Sequence, residues 1–265
     1  MLVPSASARR AVWAAFFLLF LPVFALPLLV IAAASFAADW SGALPSHLTL
    51  TNYQDIAQGS APTALLTSVL TALAAGAAAL VIGTWAALAA ERLGRRARRL
   101  LDTLFLLPVA VPSVVVGLSL LVAFSRPPFL LNGTPQIVIT AHTVLVTAFA
   151  HQSVTAALGR LDPAYEQSAA GLGARPSYVL WRVKLPLLLP SLTAAAGLCF
   201  ALSMGELSAT MMLYPPDWMS LPVQIFAATD RGSLFTGAAL AVALMATTLL
   251  VLAGVARIRT RAGYR

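Results

Sequence analysis

Residues 162–190 read Asp-Pro-Ala-Tyr-Glu-Gln-Ser-Ala-Ala-Gly-Leu-Gly-Ala-Arg-Pro-Ser-Tyr-Val-Leu-Trp-Arg-Val-Lys-Leu-Pro-Leu-Leu-Leu-Pro, a polar, breaker-rich stretch set between strongly apolar ones. Asp162 is a good N-cap, Pro163 suits a first helical position, and Glu166 adds negative charge to the first turn. Gly171 and Gly173 weaken or end that helix. Pro176 and Ser177 open a second short turn, which Pro186 is expected to stop before the next apolar run. The stretch reads as a short helix across the mouth of a helical bundle. Ala169, Ala170, Gly173 and Ala174 give it a surface of small residues that a partner can approach closely.

Working outward, the flanks decide the fold class. The chain has 265 residues, 60% of them hydrophobic and only 10% charged, with a mean hydropathy of +0.87. So little charge over such long apolar runs excludes a soluble domain. A helix needs about 20 apolar residues to cross a bilayer. Six such runs occur, at about 12–37, 64–90, 101–124, 136–158, 189–212 and 235–256, and none alternates with the period of two that a membrane β-barrel requires. The expectation is an all-α, six-span polytopic membrane protein, a single transmembrane domain over 1–265 with a cytoplasmic loop at about 159–188.

The net charge of +8 is distributed as a topology signal, not as a nucleic-acid face. Arg9 and Arg10 precede the first run, and Arg92, Arg95, Arg96, Arg98 and Arg99 follow the second. Arg160, Arg175, Arg182 and Lys184 follow the fourth, and Arg257, Arg259, Arg261 and Arg265 the sixth. Fifteen of the seventeen basic residues therefore share one side, and only Arg126 and Arg231 face the other. The positive-inside rule puts both termini in the cytoplasm. Trp40, Tyr53, Tyr214 and Trp218 sit near outer span ends, and Trp13 and Trp85 near inner ones, as interfacial belts. The first run is about twice the length of a signal-peptide core, which favours its retention as a span. The single Cys199 lies inside span five as a packing residue without a disulfide partner.

Span five carries an acid, Glu206, within Ser203-Met204-Gly205-Glu206-Leu207-Ser208-Ala209-Thr210. An ionised carboxylate at mid-bilayer costs about 2.5–3.5 kcal/mol, so it must face protein or a water-filled path. Two readings stand. In one, Glu206, with Ser203 and Thr210, lies on or beside a translocation path or gate; in the other it bridges neighbouring spans. His142 and His151 lie nine residues apart in span four, about 180° around the helix and about 13 Å along it, and cannot share a metal. Packing or capping suits them. Pro108, Pro112 and Gly117 are expected to kink span three. The outer stretches 39–62 and 213–234 serve either as connectors or as contacts for an external protein. No H-E-x-x-H, Gly-x-Ser-x-Gly or Walker A motif is present, and no internal repeat.

The 162–190 stretch resembles the EAA loop of permease subunits of bacterial ABC importers, whose pattern is Glu-Ala-Ala, three residues, Gly, nine residues, then aliphatic-x-Leu-Pro. Gly173 is followed after nine residues by Val183-Lys184-Leu185-Pro186. In the first half the family's Glu falls on Gln167 and its alanines on Ser168 and Ala169, with the acid displaced to Glu166. Residues 203–210 resemble the Gly-Glu-Phe-Gly-Ala-Thr signature of sulfate and molybdate permeases, with Leu207 and Ser208 replacing Phe and Gly. Leu-Thr-Leu-Thr-Asn-Tyr (48–53) resembles the segment that ABC importer permeases carry after the first span. Across the chain, Ala-Leu-Pro-Ser (43–46), Leu-Pro-Val-Ala-Val-Pro-Ser-Val (107–114), Asn-Gly-Thr (132–134), Thr-Ala-His (140–142), Met-Gly-Glu-Leu-Ser-Ala-Thr-Met-Met (204–212), Tyr-Pro-Pro (214–216) and Thr-Asp-Arg-Gly (229–232) are similar to permeases of 2-aminoethylphosphonate importers.

The resemblance implies a type I ABC importer permease (MetI-like) architecture and a subunit that is not itself an enzyme. It implies half of a translocation path in a bacterial inner membrane, completed by a second permease. Two ATPase subunits would carry ATP-Mg, none of it bound by this chain, and dock on the coupling loop (Glu166, Gln167, Ala169, Ala170, Gly173, Ala174, Val183, Leu185 and Pro186). A periplasmic or extracellular binding protein would deliver substrate. The alternatives are a permease for a sulfate- or molybdate-type oxyanion, iron(III) or polyamine, and, more remotely, a membrane-embedded enzyme or a proton-coupled transporter using Glu206. The nine acidic residues do not cluster as an enzyme of that kind requires.

Overall fold

A computed structural model describes residues 5–42 and 44–262; Ala43 and the C-terminal Arg265 lie outside them, as do the side chains of Arg259 and Arg261. The chain is almost entirely helical, and its contacts divide it into two units, residues 1–62 with 224–243, and residues 63–223 with 244–265.

In the first unit, α1 (Ala6–Ser35) opens on Ser5, whose hydroxyl accepts the Ala8 N–H at 3.2 Å, a side-chain N-cap. Its apolar faces stay exposed, with Phe16, Phe20 and Phe24 stacked one turn apart. A two-stranded antiparallel pair (β1, Ala37–Asp39; β2, His47–Leu48) and α2 (Thr51–Gln58) follow. The 48–53 segment is a tether. Asn52 donates to the carbonyls of Ser35 and Ala37 at 3.1 and 2.9 Å, and the Tyr53 hydroxyl donates to Ser35 Oγ at 2.7 Å. The Asn52 bonds satisfy carbonyls left open at and just beyond the end of α1.

In the second unit, α3 (Ala61–Ala90), α6 (Pro135–Leu158) and α9 (Leu185–Met204) are full-length apolar helices. The second half of α12 (Leu234–Ala262) also belongs here. Beyond α10 (Ser208–Leu213), the stretch 213–234 is not a plain connector, because it contains α11 (Leu221–Asp230). The α6 helix packs on α9, α4, α10 and α5. Ala79, Val146, Ala150 and Cys199 form one apolar knot between α3, α6 and α9, which gives Cys199 its expected packing role. Small residues at such crossings let the backbones approach, the main source of helix association in lipid.

Two spans depart from the sequence expectation. Span three is not one kinked helix: α4 (Arg95–Ala110) and α5 (Ser113–Ala123) meet at 101° across Val111 and Pro112. Pro112 has no N–H to continue the ladder and disfavours helix at Val111. Gly117, expected at the kink, lies inside α5, where a Cβ would come within 3.0 Å of the Ala209 backbone. Its role is a close crossing with α10. Span five, expected as one helix over 189–212, breaks between α9 and α10 at Gly205–Leu207.

Pro186 does not stop the chain. The short α8 (Pro176–Val179) runs through a π-helical turn (Leu180–Lys184) into α9 with no interruption. The wide turn pairs the Leu185 N–H with the Leu180 carbonyl, a five-residue step. Pro186 follows this wide turn directly, so the proline falls where the ladder has already changed its step.

Candidate functional site

The loop at 159–188 is built in two halves. The first is α7 (Ala164–Gly171), one residue shorter at its start than expected. Asp162 still caps it, its Oδ1 accepting the Ala164 N–H at 2.9 Å. The helix ends in two bonds, Gly173 N–H to Ala170 O at 2.9 Å and Ala174 N–H to Ala169 O at 3.1 Å. This pattern requires a left-handed residue, and Gly173 has φ +83°. No atom lies within 4 Å of the position its Cβ would take. Gly173 is therefore the stop that turns the chain, the helix-ending role expected of it, and the space beside it is open.

The second half is the anchor. Leu180 and Leu185 pack, with Leu161, on a buried cluster of Ala87, Leu88, Val154, Ala157, Leu158 and Leu188. Val183 and Leu185 are half-buried and Pro186 is exposed. Lys184 joins the two halves. Its Nζ is 2.8 Å from Glu166 Oε1 on α7 and 2.6 Å from Glu91 Oε2 just beyond α3. Trp85 of α3 meets Trp181 edge-on, with ring centroids 6.2 Å apart. The displaced acid thus has an intramolecular partner: Glu166 fastens α7 to the end of α3 through Lys184.

With the loop held from beneath, its far side presents an open groove of about 740 Å³. Ala169, Gly173 and Ala174 form its small-residue wall, and Leu172, Tyr178 and Trp181 the apolar rim. Leu172 is 90% exposed, an apolar residue that only a partner or lipid can cover. Gln167 and Ala170 instead line a second hollow, on the side facing Trp85 and Glu91.

At mid-span a second constellation joins the two broken helices. His142 on α6 lies with Nδ1 2.7 Å from Ser203 Oγ and Nε2 2.8 Å from Thr210 Oγ1. Ser203 is on the last turn of α9 and Thr210 is on α10, so one imidazole spans the break. Glu206 Oε1 accepts the Ala209 N–H at 2.8 Å and closes the open N-terminus of α10. A hollow of about 330 Å³, lined by Pro112, Ser113, His142, Ser203 and Glu206 among others, sits between the break in span three and the break in span five. Thr210, expected beside a path, is wholly buried and does not line it. His151 is elsewhere, with Nε2 3.3 Å from Asp102 Oδ1 on α4, and shares nothing with His142. Sequence reasoning treated His142 as a packing residue; only the fold reveals which two hydroxyls it holds.

Residues 79–262 match the family described as binding-protein-dependent transport system inner membrane component. The chain belongs to that family. Over all 265 residues, and the full length of both chains, this permease is 46% identical to PhnV of Salmonella typhimurium, a permease protein provisionally named for 2-aminoethylphosphonate transport. Its fold is similar to a chain of a bacterial alginate ABC transporter crystallised with an alginate-bound periplasmic protein. That match has a TM-score of 0.72 at 15% identity and covers 96% of this chain and 93% of the other. It is also similar to a chain of the inward-facing MetNI methionine ABC transporter, with a TM-score of 0.65 at 17% identity, over 75% of this chain and 94% of that one. The permease is thus a membrane-embedded subunit of an ABC importer with the MetI-like fold.

Proposed function

We propose that this permease forms half of the path of an importer for 2-aminoethylphosphonate or a closely related phosphonate, with both termini cytoplasmic. A second permease completes the path, two ATPase subunits carry ATP-Mg, and an external binding protein delivers the solute. The observation that carries the substrate is the full-length 46% identity to the permease named for that solute. The hollow between the broken spans suits a small zwitterion, since it offers the Glu206 carboxylate beside the hydroxyls of Ser113 and Ser203.

The coupling reading rests on the loop. Groove residues Leu172, Tyr178 and Trp181 would seat an ATPase surface, while Lys184 passes any displacement of α7 to Glu91 and hence to α3. Fastened to α3 through Lys184, α7 would move as a rigid lever, and the breaks at Pro112 and Gly205 would be the pivots of the path helices. Glu166 and Lys184 act within this chain; Ala169, Gly173 and Ala174 shape the groove wall.

The test is uptake into proteoliposomes holding the complete importer and its binding protein. ATP-driven accumulation of labelled 2-aminoethylphosphonate, undiminished by excess sulfate, molybdate or putrescine, is expected. Accumulation of one of those competitors instead would overturn the substrate assignment and leave the importer reading intact.

A further inference from the structure

Five arginines stand between Arg92 and Arg99, and topology accounts for their side of the membrane but not for their arrangement. Four of them, Arg95, Arg96, Arg98 and Arg99, occupy the first turn and a half of α4, a helix that opens on Gly94 without a side-chain cap and without an acid in its first turn. Cations there oppose the helix dipole, whose positive end already lies at that terminus. Arg98 reaches Asp102 at 4.0 Å, but no described carboxylate pairs with Arg92, Arg95, Arg96 or Arg99. Arg95, Arg96 and Arg99 line an open hollow of about 400 Å³ with Leu100 and Thr103.

The hollow continues into an apolar stripe. Asp102 and Phe105 face α6, where they meet His151. Leu100 and Leu104 stand on the opposite side of α4, followed a turn later by Leu107, and are 62%, 56% and 55% exposed. At 1.5 Å per residue, Arg96 to Leu107 covers about 16 Å, roughly half the thickness of a bilayer's hydrocarbon core. A surface with guanidinium forks at one end and one leaflet's length of apolar groove below matches a phospholipid with an anionic headgroup. Arginine pairs bidentately with phosphate oxygens, and basic residues at the membrane surface attract anionic lipid.

We propose that α4 holds one anionic phospholipid, its phosphate on Arg95, Arg96 and Arg99 and an acyl chain along Leu100, Leu104 and Leu107. The lipid supplies the negative charge that the helix start lacks. The assignment does not depend on which solute is transported.

The test is native mass spectrometry of the intact importer complex, exchanged into mixed micelles containing phosphatidylglycerol and phosphatidylcholine. The wild-type complex should retain phosphatidylglycerol, and the Arg95→Gln/Arg96→Gln/Arg99→Gln variant should retain it roughly a hundredfold more weakly. Because that variant also weakens the topology signal, a second one keeps the charges: Leu100→Asn/Leu104→Asn should lose the lipid while still inserting. Equal retention by wild type and both variants would overturn the proposal. So would displacement of the lipid by inorganic phosphate alone, which would make the hollow a free-anion site. Loss of the ATPase subunits from the triple variant with lipid retention unchanged would reassign the patch to a protein contact.

Discussion

His142 Nδ1 lies 2.7 Å from the Ser203 hydroxyl, and through this contact span four holds the end of α9 immediately before span five breaks. The other ring nitrogen takes Thr210 on the far side of the break. A discontinuous helix leaves backbone groups open in a region without water, and it persists only where neighbouring side chains hold the two halves.

His142→Ala should therefore destabilise the complex by about 1–3 kcal/mol, the cost of leaving the buried Ser203 hydroxyl without this partner, while Thr210 keeps its bond to the Glu206 carbonyl at 3.2 Å. Thermal unfolding of the purified complex measures it, and His142→Gln should recover part of the loss by reaching one hydroxyl. Unchanged unfolding of the alanine variant would mean that the break holds itself.

Glu206→Gln preserves an oxygen that can accept the Ala209 N–H, so the complex should assemble. Glu206→Ala removes the cap and should cost about 1 kcal/mol. If Glu206 also faces the transported solute, the glutamine variant assembles normally but loses uptake or uncouples ATP hydrolysis. Wild-type uptake by that variant would confine Glu206 to capping α10.

Lys184→Glu places a third acid between Glu91 and Glu166. The loop should shift, and uptake per ATP hydrolysed should fall while the ATPase subunits remain bound. Reconstituted ATPase and uptake assays give this ratio. Normal coupling would show that the Glu91–Lys184–Glu166 bridge is not the transmitter.

Gly173→Asn should retain most uptake, whereas Gly173→Ala should lose stability of the loop, because a left-handed backbone costs an ordinary side chain roughly 1–2 kcal/mol. Asparagine tolerates that region far better. If alanine and asparagine behave alike, side-chain size in the docking groove matters more than the turn.

Topology is checked by cysteine accessibility on a Cys199→Ser background. Single cysteines replacing Asp55 or Asp217 should react from outside, and those replacing Ala97 or Arg175 only from inside; all four positions are exposed. Ser220 is a poor reporter because it is buried. The reverse pattern would invert the assigned orientation.

The sequence by itself determined the class, the number of apolar runs and the position of the polar loop between them. These depend on composition and local spacing: long stretches without charge, arginines clustered on alternate connections, and Gly173 at a set distance from Leu185 and Pro186. It also announced the Asp162 cap, which acts within a few residues of itself. Tertiary structure alone decided what depends on neighbours distant in the chain. Only packing joins Lys184 to Glu91, ninety-three residues away, and so gives Glu166 an internal fastening as well. Only packing brings Ser203 and Thr210 onto His142, about sixty residues earlier, and lets spans three and five break outright. Hydropathy counts apolar residues without regard to where the backbone ladder is interrupted, so it read both spans as whole. The hydrogen bonds that compensate each interruption come from other helices and leave no periodic trace in the residues around the break.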